Sequence, residues 1–284
     1  MSDPTEHDGR PAGGFFAGRS SADPGLALFL NAGDPGLDRL ADLVRLLDEE
    51  RVDCLELAVP FPDSVTDGPV IRRSARRALE QGVDLDAVLG FVERVRPELR
   101  HTRIALLADW GHSVKPVGLE EFLRRARDAG ADATLLHGLP PLARRRYLEA
   151  AERIGQPVVT TCYPNSPREV LAESAEFASA YLYLVAHFGR SGTAPAPDRS
   201  ALAPVVATLK GLTPAPVAVG FGVRTAEDVS AMGDLGADAA IVGSALVAEV
   251  ERVLETGGDL LAELAGFIGG LRHRPVHEEQ LSNH

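Results

Sequence analysis

Lysine is almost missing from this chain: Lys115 and Lys210 are the only two, and neither lies in an apolar strand-like run. A Schiff-base aldolase needs a desolvated lysine in its pocket, so the composition argues against that chemistry. Cysteine is just as scarce. Cys54 and Cys162 sit in apolar stretches without a CxxC pair, which fits reduced thiols in the cytoplasm and not a disulfide framework. No apolar run reaches the roughly 18 residues that a membrane helix needs. The chain also lacks the basic segment followed by an apolar one that marks a secretory signal, so a cytoplasmic protein is expected. Basic charge is outweighed, with a net charge of -12. That balance disfavours nucleic acid or an anionic membrane as partner. A small anionic substrate still fits, because a few backbone amides hold a phosphate whatever the global charge.

What is present is enough for one large core: 284 residues, 45% of them hydrophobic. Residues 1–24 are rich in Gly, Ser, Asp and Pro and read as a flexible N-terminal tail, within which Phe15 and Phe16 can pack down locally. Short apolar strands then alternate with amphipathic helices. Strands are expected at Leu26–Asn31, Cys54–Ala58, Arg103–Ala108, Ala133–His137, Pro157–Cys162, Tyr181–Ala186, Pro216–Val219 and Ala239–Val242. Helices are expected near 37–50, 70–97, 119–129, 141–154, 167–176, 199–211 and 225–235, and from Ser244 onward. Eight strand–helix units of this kind match an α/β fold of one (β/α)8 TIM barrel, spanning 25–271, better than an open doubly wound sheet. Gly-Ala-Asp at 130–132 and 236–238 stops a helix just before a strand. Residues 272–284 read as a polar C-terminal tail.

One stretch stands out, Leu55-Glu-Leu-Ala-Val-Pro-Phe-Pro-Asp-Ser-Val-Thr-Asp-Gly-Pro-Val-Ile71. At period two, Val52, Cys54, Glu56 and Ala58 share one face, and Leu55, Leu57 and Val59 share the other. Leucines and valine need a helix layer over them, so Glu56 points to the barrel interior. A carboxyl there loses hydration and its pKa rises, which suits proton transfer near neutral pH. The plainer alternative is a structural glutamate paired to an arginine.

Barrel enzymes place their chemistry at the C-terminal strand ends. Glu56, Asp67, Asp109, His137, Tyr183, His187 and the glycines at 220, 222 and 243 all fall there. Gly220-Phe-Gly222 after strand seven and Gly243-Ser244 opening a helix after strand eight form a phosphate-binding pattern, with free amides at a helix start.

In order and spacing, these segments resemble the α subunit of tryptophan synthase. The resemblance runs from Leu28 to Glu251 and includes Ala32-Gly-Asp-Pro-Gly36, Leu55-Glu-Leu-Ala-Val-Pro-Phe61, Thr66-Asp-Gly-Pro-Val-Ile71, Arg77-Ala-Leu79 with Gly82, Gly220-Phe-Gly222 and Gly243-Ser244. It implies a lyase that cleaves indole-3-glycerol phosphate, or a close analogue, to indole and glyceraldehyde 3-phosphate without metal or organic cofactor. Glu56 is then the acid that protonates indole C3, and Asp67 the carboxylate that holds the indole N–H as positive charge develops. Removal of the glycerol hydroxyl proton completes a retro-aldol cleavage, with deprotonated Glu56 as the economical base. The resemblance also implies that Phe29 and Tyr183 line the substrate pocket. By the same resemblance, Ser191 braces Asp67, and Gly192, Gly222, Gly243 and Ser244 contact the phosphate.

Departures from the family's pattern are equally specific. The arginine before the mobile loop is His187; strand three ends in Ala108-Asp-Trp-Gly-His-Ser113 and strand four in His137-Gly-Leu-Pro140; Asp63-Ser64 replaces Asp-Pro. The last three regions include the surface that docks a tryptophan synthase β subunit in the family, so their drift favours a stand-alone lyase, with secondary metabolism as one setting. Trp110 is also placed to reshape the indole pocket for a modified ring. Two rivals follow from the same residues: a metal-dependent aldolase or epimerase built on Asp109, His112, His137 and His187, and a non-catalytic barrel acting as an allosteric partner.

Overall fold

The computed structural model describes residues 14–186, 201–220 and 222–272. Eight parallel strands form its core: β1 (Gly25–Asn31), β2 (Cys54–Ala58), β3 (Arg103–Asp109), β4 (Ala133–His137), β5 (Val159–Cys162), β6 (Tyr181–Val185), β7 (Val217–Gly220) and β8 (Ala239–Val242). Their order is β4-β3-β2-β1-β8-β7-β6-β5. The ring closes between β4 and β5 through one parallel bridge, Thr134 to Val158, with the Thr134 N–H donating to Pro157 O at 2.9 Å. The helices are α1 (Leu37–Glu49), α2 (Pro69–Glu80), α3 (Leu85–Val95), α4 (Leu119–Asp128), α5 (Pro141–Ile154), α6 (Arg168–Phe177), α7 (Ala203–Leu212), α8 (Ala226–Asp234), α9 (Ser244–Thr256) and α10 (Leu260–Arg272).

Two expected helices divide. The stretch 70–97 breaks between α2 and α3, because Gly82 takes a left-handed conformation (φ 76°) and the Asp84 side chain caps α3 by accepting from Ala87 N–H at 2.9 Å. The final helix breaks at Gly257 and Gly258 into α9 and α10.

Period-two alternation places the strand faces. Leu26, Leu28, Leu30, Leu55 and Leu57 point outward into the layer between strands and helices, where each buried leucine contributes about 1.5–3 kcal/mol relative to exposure. Cys54 and Glu56 take the opposite face. Val52, grouped with them by spacing, precedes the strand and joins the outer core instead.

Inside the barrel, the first inward layer is unusually small, with Ala27, Ala105, Ala133, Ala218 and Ala239. Three aromatic rings fill the space that these alanines leave. Phe15 and Phe16, each 5% exposed, reach in from the N-terminal segment and pack on Tyr181 with centroids 5.4 and 5.3 Å away. Residues 14–24, included in the expected tail, thus contribute two core side chains. The Arg103 guanidinium lies 5.5 Å over the Phe15 ring.

At this same end, aspartates tie neighbouring strands together. Asp53, Asp132 and Asp238 each stand one residue before a strand and accept a backbone N–H from the adjacent one: Leu26 at 2.9 Å, Ile104 at 2.8 Å and Val217 at 2.9 Å. The two Gly-Ala-Asp turns therefore do more than stop helices. Their aspartates satisfy the amides of Ile104, second in β3, and of Val217, first in β7.

Candidate active site

A cavity of about 890 Å³ opens at the C-terminal ends of the strands. Glu56, Asp67, Phe29 and Tyr183 lie on its wall, as do Gly222, Gly243 and Ser244. Residues drawn from β1, β2, β6 and the loops after β7 and β8 are thus brought together across the barrel mouth. Ser191, Gly192 and His187 lie outside the described residues.

Glu56 is 2% exposed on β2, with Phe29 of β1 and Ala105 of β3 as its register partners. Its partner is a phenol, in place of the arginine considered above. Tyr181 Oη donates to Glu56 Oε1 at 2.6 Å. Burial pushes the Glu56 carboxyl up to about 7, and the Tyr181 hydroxyl moderates that rise by stabilising the carboxylate. Tyr181 and Cys54, 3.9 Å apart at Oη and Sγ, are themselves pushed well above their ordinary values by burial. Neither is a ready nucleophile. Tyr183, half-buried two residues along β6, is raised as well, first by desolvation and then by the nearby Glu56 charge. Glycine at 220 makes room for it: a Cβ there would stand 2.9 Å from Tyr183 Oη and 2.8 Å from Ile241 Cβ.

Asp67 sits just ahead of α2, so the docking of that helix sets its direction. Arg77 of α2 donates twice to the buried Asp34 carboxylate, at 2.9 and 2.7 Å, and once to Glu251 of α9 at 2.6 Å. Arg73 grips the same Glu251 at 2.8 and 2.6 Å, which holds its carboxyl well below the ordinary range. Asn31 at the end of β1 donates from Nδ2 to Ser74 Oγ at 3.0 Å. The body of α2 is thereby fastened to β1, the loop after it and α9. Asp67 N–H donates to Ser64 Oγ at 3.3 Å, leaving its carboxylate on the cavity wall.

Across the mouth, α9 begins at Ser244 with Gly243 as its N-cap, and no side chain among the described residues caps it. Its leading amides and dipole suit an oxyanion on this side of the cavity.

Four residues behind the metal-site rival are committed elsewhere or lie out of view. Asp109 Oδ1 accepts from His112 N–H at 2.9 Å and pairs with His112 Nδ1 at 2.7 Å. His137 Nε2 shares a hydrogen bond of 3.2 Å with the Thr66 hydroxyl. Among the described residues, no group of three His, Cys, Asp or Glu side chains converges as a metal site. Trp110 packs against the outer core and is absent from the cavity wall.

Sequence reasoning missed two features. Tyr181 as the partner of Glu56 is one; its only local signal is the Tyr-x-Tyr spacing of β6. Phe61 stacks against both His112 and His137, with centroids at 5.6 and 5.7 Å, and nothing local foretells that contact.

Known proteins can be set beside this geometry. The family profile described as tryptophan synthase alpha chain matches residues 16–273. A tryptophan synthase alpha chain of Burkholderia mallei is 36% identical over 258 residues, covering 91% of this chain and 93% of the relative. That of Gloeobacter violaceus is 36% identical over 266 residues, covering 93% and 94%. Among solved structures, tryptophan synthase subunit alpha of Legionella pneumophila superposes with a TM-score of 0.78 at 28% identity, covering 88% of this chain and 92% of that one. A mutant alpha subunit of Pyrococcus furiosus gives 0.77 at 28% identity, covering 89% and 98%.

Proposed function

The chain belongs to the tryptophan synthase alpha chain family, whose reaction is the cleavage of indole-3-glycerol phosphate, and we propose that it carries out this cleavage unaided, with Glu56 as acid and Asp67 as electrostatic partner. The observation that carries the reading is the Glu56 carboxyl, buried on the cavity wall with a pKa raised to about 7. A group with that pKa is largely protonated in slightly acidic solution and gives up its proton near neutrality, as a general acid must.

Protonation of indole C3 breaks the ring's aromaticity and turns it into an electron sink. Positive charge develops at the ring nitrogen, where the Asp67 carboxylate accepts the N–H and lowers the barrier. The Glu56 carboxylate left by the first step takes the glycerol hydroxyl proton, the C–C bond breaks, and indole and glyceraldehyde 3-phosphate separate. The amides around Gly222, Gly243 and Ser244 hold the phosphate at the far side of the mouth, which keeps the indole toward the carboxylates. No step draws on a Lewis acid.

Unaided activity is supported by the drift at the ends of β3 and β4 and at Asp63-Ser64, which includes the surface where the family docks its β subunit. Assay of the purified chain alone with indole-3-glycerol phosphate, then with a tryptophan synthase β subunit added, tests the reading. Turnover on the order of 1 s⁻¹ or more without β, with little gain on its addition, is the expected outcome. A near-silent chain that β strongly stimulates returns it to the conventional pairing.

A further inference from the structure

Three of the places where the sequence departs from its family, the end of β3, the end of β4 and Asp63-Ser64, meet in space. Asp109 and His137 are register partners at the ends of β3 and β4. Asp109 fixes His112 through both its backbone and its ring nitrogen. The His112 ring stacks on Phe61 at 5.6 Å and 25°, and Phe61 also stacks on His137 at 5.7 Å and 29°. From His137 a chain of polar contacts runs into the loop after β2. His137 Nε2 bonds the Thr66 hydroxyl at 3.2 Å, Thr66 Oγ1 lies 3.4 Å from Ser64 Oγ, and Ser64 Oγ accepts the Asp67 N–H at 3.3 Å. Ser64 is buried, whereas its neighbours Asp63 and Val65 are exposed.

We propose that His137 is a positioning residue for Asp67. Stacked on Phe61 and bonded to Thr66, it holds the loop between β2 and α2 in the conformation that presents the Asp67 carboxylate to the cavity, so that the chain orders this half of its own site. The inference rests on the reading of Asp67 given above.

Residues 61–67 are a short connection whose ends are fixed by β2 and by the Arg77 clamp on α2, while its middle carries exposed Val65 and Thr66. Such a loop samples several conformations unless side chains hold its interior. His137, at the end of β4, supplies that hold through the Thr66 hydroxyl and the Phe61 ring. Displacing a charge-stabilising carboxylate by about 1 Å can cost up to about 10²-fold in rate while leaving distant phosphate contacts untouched.

The test compares His137→Ala, His137→Gln and Thr66→Val with the unaltered protein. It reads kcat and KM for indole-3-glycerol phosphate, affinity for glycerol 3-phosphate, and hydrogen–deuterium exchange of amides 62–68. His137→Ala should lower kcat about tenfold or more, leave glycerol 3-phosphate affinity within about twofold, and speed exchange in 62–68. Thr66→Val should reproduce these changes. His137→Gln, which retains a hydrogen-bonding group, should restore part of kcat. Unchanged kcat and exchange in His137→Ala would overturn the proposal, as would an equal loss of kcat and phosphate affinity. If the unaltered protein fails to cleave the substrate, it is the functional reading that falls; exchange in 62–68 then decides the positioning role, with unchanged protection refuting it.

Discussion

Tyr181 Oη and Glu56 Oε1 lie 2.6 Å apart, and this contact links the packing of the barrel floor to the cavity above it. The phenol is held by Phe15, Phe16 and a ring of alanines, and its hydroxyl meets the one carboxyl on β2 that looks inward. The core thus determines how acidic Glu56 is.

Replacing Glu56 with glutamine keeps the shape of the site and removes its proton. The Glu56→Gln variant should lose about 10²–10⁴ in kcat, with affinity for glycerol 3-phosphate nearly unchanged. A variant retaining half of the original turnover would show that another group is the acid.

The pH profile should carry the same signature. With its pKa at about 7, Glu56 is protonated in the free enzyme below that value, so kcat/KM should fall on the alkaline side with an apparent pKa near 7. Tyr181→Phe removes a donor that favours the carboxylate, so the alkaline limb should move to higher pH. A limb that stays put or moves down, in steady-state rates measured from pH 5 to 9, would separate Tyr181 from the acid.

Stability should respond to the same group. The folded pKa of about 7 lies above the ordinary 4.5, so the protonated form is favoured by folding. This contribution is complete below 4.5 and is lost as pH rises through about 7, on the order of 3 kcal/mol in all. Glu56→Gln cannot titrate, so its stability relative to the unaltered protein should improve between pH 4.5 and 8. Urea unfolding of both proteins across that range gives the difference, and a flat difference would refute the assignment.

The N-terminal aromatics should matter to folding. Phe16→Ala opens a void among alanines that cannot close over it, and should cost about 3–5 kcal/mol. Chemical denaturation measures it directly; a loss below about 1 kcal/mol would mean that residues 14–18 contribute little to the core.

Chelators should leave turnover unchanged, since Asp109 is engaged by His112 and His137 by Thr66. Loss of activity in EDTA, restored by zinc or manganese, would revive a metal-dependent mechanism.

Most strand boundaries were legible because a half-buried strand must alternate and a turn must break the alternation. β2, β4 and β8 begin and end where periodicity places them. The division of α2 from α3 was readable too, in Gly82 and in Asp84 as an N-cap, but a continuous amphipathic pattern masked it. The inward direction of Glu56 followed from its leucine neighbours alone.

Its proton affinity did not. Desolvation and a hydroxyl from Tyr181, 125 positions away, set the value, and no window of the chain contains both residues. The stacking of Phe61 on His112 and His137 is of the same kind, formed by three strand ends that the sequence keeps far apart. Local pattern determined the barrel, the inward face of β2 and the glycines after β7 and β8, because those depend on period, turn conformation and side-chain size. Tertiary structure alone decided which groups meet across the mouth, because desolvation and hydrogen bonding act through space and are fixed only when the ring of strands closes.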